Sequence, residues 1–193
     1  QMEYYIAPEE PETDFLKISS PEEIKVCDPA VGSGHMLTYA FDLLYAIYEE
    51  VGYDSTEIPS LILENNLYGV DINEESVDIA KLSLWLRTAK KGRKLTSLNN
   101  NLKCGNSLID APEIAGENAF NWENEFPEVF TKGGFDIVIG NPPYVQLQKM
   151  KEESKLLKTL KYETFESTGD LYALFYEKGL SLLKKDGILS FIS

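Results

Sequence analysis

Apolar residues fall into two rhythms along this chain. Short runs of four to six residues end at polar or glycine clusters: Ile24-Lys25-Val26-Cys27, Leu67-Tyr68-Gly69-Val70-Asp71-Ile72, Asn101-Leu102-Lys103-Cys104, Phe135-Asp136-Ile137-Val138-Ile139-Gly140 and Ile188-Leu189-Ser190-Phe191-Ile192. Runs of this length with such ends predict buried strands. Between them apolar positions recur at helical spacing. Met36, Ala40, Leu43, Ile47 and Val51 predict one helix, and Glu57 to Asn65 a shorter one. Ile79, Leu82, Leu86 and Ala89 predict a third, with Asn73 as its N-cap and Glu74 and Glu75 in its first turn. Lys90-Lys91-Gly92-Arg93-Lys94 marks that helix's C-terminal end. Glu123 to Phe130 reads as a short helix. Leu171, Leu174, Phe175 and Leu182 predict a final one, capped near Thr168 or Asp170 and followed by a turn at Lys184-Lys185-Asp186-Gly187. Ala111 to Asn121 reads as loop, and Gln146 to Lys161, rich in Lys and Glu, as a mobile, partly helical excursion.

Strands alternating with helices predict an α/β domain, a mostly parallel sheet with helices on both faces. Residues 1–20, acidic and with Pro8 and Pro11, read as a linker or arm, and residues 21–193 as one domain. Ligands of such sheets bind outside the carboxyl ends of the strands. The unusual clusters of this chain sit at those ends, after Cys27, Ile72, Cys104 and Ile139.

Composition narrows the picture. The 193 residues, 43% hydrophobic and 11% aromatic, suffice for a folded domain with a sizeable core. Eighteen bases against 32 acids give a net charge of −14. That surface repels a phosphate backbone, so a nucleic-acid grip would need a local basic cluster or residues outside this stretch. Cys27 and Cys104, the only cysteines, read as two core thiols, and with the single His35 at a helix start they make no metal set. No run is apolar enough to span a membrane and no secretory signal is visible, so a cytoplasmic protein is the default. The chain begins at Gln1, ends on an apolar run, and is expected to be cut from a longer polypeptide.

Two clusters carry candidate chemistry. Asn141-Pro142-Pro143-Tyr144 sets a neutral amide, two rigid prolines and an aromatic ring at a strand's end. It offers no strong acid, thiol or base, and suits the holding of a flat –NH2 group by its edge and face. A nitrogen conjugated with a ring is a poor nucleophile. Acceptors at the Asn141 side-chain oxygen and the Pro142 carbonyl would draw that nitrogen toward tetrahedral geometry, the prolines would hold them rigid, and Tyr144 could stack on the face of the flat group. Asp28-Pro29-Ala30-Val31-Gly32-Ser33-Gly34 is a glycine-rich strand-to-helix turn. The dinucleotide fingerprint is broken, because Leu37 stands where its third glycine belongs, and a Walker loop is excluded. Asp71 can accept from ribose hydroxyls and Asn106 can read an adenine edge; each also fits an ordinary turn residue. An acid for an amine, an acid for a ribose and an amide for an adenine describe S-adenosyl-L-methionine.

Asp28–Gly34, Tyr68-Gly69-Val70-Asp71, Gly105-Asn106-Ser107-Leu108 and Asn141–Tyr144, in this order, resemble an N6-adenine DNA methyltransferase of the gamma order. The stretch Phe135 to Val145 is similar to that of large type IIG restriction–modification and BREX-like methylases. The resemblance implies a Rossmann-like class I S-adenosylmethionine-dependent methyltransferase fold, here truncated, and site-specific adenine methylation. It implies that Asp28 faces the methionine amine, with Ala30, Gly32 and Gly34 shaping the backbone there. Asp71 would bind the ribose, Ile72 pack on the adenine ring, and Asn106 contact the ring's amine where the family often has aspartate. Asp170 resembles a later motif near the methionine pocket and reads equally as a helix cap. Asn141, Pro142, Pro143 and Tyr144 would be catalytic. DNA would be brought by segments largely absent here, with a target-recognition domain and a fused or associated nuclease as expected partners, and the isolated chain is expected to be inactive. A methyltransferase for another planar nitrogen, protein glutamine or RNA guanine, and a non-catalytic cofactor-binding scaffold remain as alternatives. Cytosine C5 methylation is disfavoured, because neither cysteine follows a proline.

Overall fold

A computed structural model describes residues 17–89 and 96–193. The expected acidic arm lies, up to residue 16, outside the described residues, as does the basic stretch Lys90-Lys91-Gly92-Arg93-Lys94. Among the described residues five strands form one wholly parallel sheet, in the order β3-β2-β1-β4-β5: β1 Val26–Asp28, β2 Leu67–Asp71, β3 Leu102–Cys104, β4 Phe135–Gly140 and β5 Leu183–Phe191. Val26 pairs with Leu67 on one side and with Ile137 on the other, so β1 is central.

The crossovers are α1 His35–Val51, α2 Ile58–Asn65 and α3 Glu74–Thr88, then the short turns α4 Pro112–Ala115, α5 Trp122–Glu125 and α6 Pro127–Phe130, then α7 Lys151–Thr159 and α8 Leu171–Leu182. Asn73 caps α3 as expected, its side chain accepting the Ser76 N–H at 3.2 Å. Three apolar clusters form the core. One lies between α1–α3 and the sheet. A second, rich in aromatics, joins Tyr68, Val70, Phe135 and Val138 to Phe120, Trp122, Phe126 and Val129 on α5, α6 and the segment before them. The third lies around α7 and α8.

Several expectations need correction. The buried face of α1 is Leu37, Ala40, Phe41, Leu44 and Tyr48, one step round from the expected stripe; Leu43 and Val51 are exposed. Likewise α3 buries Val77, Ala80, Leu84 and Thr88, while Ile79, Leu82 and Leu86 face outward. Both helices carry apolar residues on two faces, so periodicity alone does not choose between them. Tyr48 is buried because its hydroxyl finds Asn66 Oδ1 at 2.9 Å. Cys27 is a core thiol, but Cys104 is exposed at the end of β3, an edge strand of the sheet. Ala111–Asn121 contains α4, and Gln146–Lys161 forms a 3-10 turn at Leu147–Lys149 and then α7, with Leu147 and Leu157 buried. The expected turn at Lys184–Gly187 lies within β5, whose ladder shifts register there around Asp186 at φ +66°. Among the described residues no helix is long and apolar enough to cross a membrane.

Candidate active site

The turns leaving β1, β2, β3 and β4 meet at the carboxyl edge of the sheet, and hydrogen bonds fasten the first three together. Asp71 Oδ2 accepts the Gly32 N–H and Asp71 Oδ1 accepts the Asn73 N–H, each at 2.9 Å. The Asp71 carboxylate therefore joins two turns, and each oxygen keeps a further lone pair. Val31 N–H donates to the Val70 carbonyl at 3.0 Å, and the buried Ser107 hydroxyl donates to the Pro29 carbonyl at 2.6 Å. The glycine turn can lie this close because β2 has no side chain at Gly69. A Cβ there would stand 2.9 Å from Val31 Cγ2 and from Leu102 Cδ2.

A cavity of about 610 Å³ opens above these turns. That is the size of a small-molecule site, for which about 300–1,000 Å³ is usual. Its wall brings together six of the expected site residues: Ala30, Asp71, Ile72 and Asn106 from the first three turns, with Asn141 and Pro143 from the fourth. Asn106 Oδ1 already accepts the Leu108 N–H at 3.0 Å, which fixes its amide plane. Ile72 is exposed toward the opening.

The other expected residues sit behind or beside this wall. Asp28 is 2% exposed, with Oδ1 accepting the Ala30 N–H at 2.9 Å. Gly32 donates its N–H to Asp71 at φ +50°. Gly34 takes φ +82° as the N-cap of α1, and a Cβ there would press within 3.0 Å of Ala80 Cα and Cβ, so it admits the packing of α1 on α3. Pro142 is buried while Asn141 beside it is exposed. Asp170 is the cap of α8, accepting the Tyr172 N–H at 2.9 Å. Tyr144 is 57% exposed, stacks on Tyr172 and donates its hydroxyl to the Ile192 carbonyl.

The sequence reading gave no site role to the apolar part of the wall: Leu108 at the end of the third motif and Ile109 after it, Leu157 from α7, and Leu171 and Phe175 from α8. Its signal was available in the i, i+4 pair Leu171 and Phe175 directly behind the Asp170 cap.

Burial raises the Asp28 carboxyl to about 7, and the neighbouring Asp71 adds to the rise while the Ala30 N–H opposes it. The folded chain thus keeps a proton that the unfolded chain releases near pH 4, so this group's contribution to stability falls as pH rises from about 4 to about 7 and is level above that. Asp28→Asn is expected to flatten the unfolding free energy against pH in that window, by up to about 1.4 kcal/mol per pH unit. Denaturant melts of both forms between pH 4.5 and 8 check this; parallel curves would refute it.

A parallel sheet whose carboxyl edge holds a glycine turn, an acid and an amide–proline–proline–aromatic turn around one cavity defines an α/β domain with a concave site at its strand ends. The chain belongs to the Eco57I restriction-modification methylase family, whose model matches residues 65–193. Among its relatives is the adenine-specific methyltransferase BrxX of Escherichia coli O9:H4 (strain HS), 38% identical over 125 residues, which cover 59% of this chain and 10% of that protein. Another is the type II restriction enzyme and methyltransferase RM.Eco57I of Escherichia coli, 29% identical over 212 residues, covering 93% of this chain and 21% of that protein. The fold matches a nuclease-deletion mutant of the type ISP restriction-modification enzyme LlaGI, solved with a DNA substrate mimic, at a TM-score of 0.62 and 15% identity over 88% of this chain and 15% of the other. This chain therefore spans only about a tenth to a fifth of the length of these proteins.

Proposed function

We propose that the intact protein transfers a methyl group from S-adenosyl-L-methionine to the N6 amine of adenine in DNA, within a restriction–modification or phage-defence system. One observation carries the reading: Asp71 and Asn106 share a single cavity with Asn141 and Pro143. The groups suited to holding a nucleoside and the groups suited to holding an aromatic amine thus face one space.

The residues present fit that cofactor. Asp71 retains a lone pair on each oxygen for ribose hydroxyls, Ile72 and the apolar wall offer a surface to an adenine ring, and the Asn106 amide can meet that ring's edge. Asp28, buried under the Ala30 N–H, is the acid for an amine, and pairing with a cation would favour its ionised form. When bound, the cofactor supplies an electrophilic methyl group. Asn141 Oδ1 and the Pro142 carbonyl accept from the substrate amine and localise its lone pair; β4 and the two prolines keep these acceptors from turning away. No side-chain nucleophile is required, and the acceleration rests on orientation. With a net charge of −14, this stretch leaves the main grip on the DNA backbone to the rest of the polypeptide, where target recognition and any nuclease would also lie.

The test is to incubate the intact protein with DNA and methyl-labelled S-adenosyl-L-methionine, then digest the DNA and separate the nucleosides by mass spectrometry. Label in N6-methyldeoxyadenosine is the expected result. Label in cytosine or in protein, or none at all, overturns the reading.

A further inference from the structure

Beside the cavity, at the open end of β4 and β5, stands a group of rings of which only Tyr144 has an expected task. Tyr144 and Tyr172 stack with centroids 5.1 Å apart and planes 14° from parallel. Both hydroxyls converge on one acceptor, the Ile192 carbonyl, with Tyr172 donating at 3.0 Å. Tyr172 is gripped from behind: Tyr176, one turn along α8, lies 5.2 Å away, and Phe191 of β5 meets both rings edge-on at 6.3 and 5.4 Å. Its backbone is fixed by the Asp170 cap, whose chain in turn bridges to Gln146 just beyond Tyr144. Yet the front of the group is open, with Tyr144 57% and Tyr176 38% exposed. A ring buttressed on one face and bare on the other is a prepared platform for a second planar group.

We propose that Tyr172 is a positioning residue for the target base. It holds the Tyr144 ring at a fixed tilt, so that an extruded adenine stacks on the opposite face with its amine toward Asn141. This rests on the methyltransferase reading above. Held this way, Tyr144 has no rotamer search to complete when the base arrives, and the base, having left its own stack in the duplex, meets a surface already in place.

The experiment uses the intact protein and a duplex carrying its own site, found by sequencing the adenines it methylates, with 2-aminopurine in the target position for the binding arm. Tyr172→Leu is expected to lower kcat/KM for DNA about tenfold and to diminish the 2-aminopurine signal of the flipped base, while the affinity for S-adenosyl-L-methionine stays within about twofold. Tyr172→Phe, which keeps the stack and loses only one hydroxyl, is expected to stay within about threefold of the wild type. Tyr172→Met, close in volume and without a ring, should behave as Tyr172→Leu does. A wild type that methylates no adenine refutes the methyltransferase reading itself. If the wild type is active, Tyr172→Leu or Tyr172→Met with unchanged flipping and kcat/KM overturns the proposal. So does a loss of cofactor binding in both, which marks a merely structural role.

Discussion

In the intact protein, Asn141→Ala is expected to cut adenine methylation by about 10²- to 10³-fold, the usual cost of removing one preorganised polar group aimed at a reacting centre. Asn141 stands at the end of β4, exposed on the cavity wall, between a buried Gly140 and a buried Pro142. Among the residues its own turn brings to that wall, Asn141 supplies the side-chain acceptor, and Pro143 contributes only ring atoms and backbone. The backbone at 141 is set by its neighbours, so alanine should leave the fold intact. The measurement is the initial rate of labelled methyl incorporation into DNA, beside calorimetric titration with S-adenosyl-L-methionine. Cofactor affinity should stay within about threefold, because the nucleoside-holding groups come from the other three turns. A rate within tenfold of the wild type would remove Asn141 from the chemistry.

The second large effect is on stability. Phe135→Ala is expected to cost about 3–5 kcal/mol and to lower the melting temperature by about 6–20 °C. Phe135 opens β4, is fully buried, and is ringed by Tyr68, Trp122, Phe126 and Phe130 at centroid distances of 5.5, 6.1, 6.0 and 5.8 Å. These partners come from β2, α5, α6 and the turn between them, so the ring joins layers that are distant in sequence. The strand beside the gap is anchored, because Asp136 accepts the Lys25 N–H at 2.8 Å and pairs with Lys184. Differential scanning calorimetry checks the prediction; a loss under 2 °C would mean that the cluster repacks. Because β4 ends in Asn141, the same variant should lose activity at temperatures where the wild type is still folded.

What the sequence made legible, and what it hid, divides by range. The strands were plain because each apolar run is bounded by a glycine, an acid or a polar turn, and those bounds place the site. The register of α1 and α3 was not, because Leu43, Ile79, Leu82 and Leu86 mimic a core stripe while facing outward. Tyr48 was missing from the expected stripe, and its burial depends on Asn66, eighteen positions away, holding its hydroxyl. In the site, each motif announced itself, but the bonds between motifs did not. Asp71 reads from sequence either as an acid for a ribose or as an ordinary turn residue; in the fold it ties Gly32 to Asn73. Ser107, given no role of its own in the third motif, is the clasp on Pro29. Such pairings lie across crossovers and leave no local periodicity. The Asp170 cap was foreseen, yet the tyrosine it presents two residues later was not.

The strand order has a consequence for how the molecule is made. β1 finds its first neighbour in β2 soon after synthesis, but its second, β4, only after β3 and three short helices have emerged. Until then the central strand of the sheet is an exposed edge, and Val26 and Cys27 lie along it. A nascent chain stopped before residue 135 would carry three of the four turns on a half-sheet with a bare parallel edge, the kind of surface that pairs with a neighbour's strand. Ribosome pausing within residues 105–135 should therefore favour aggregation over delay, and a chaperone acting on this domain would act there.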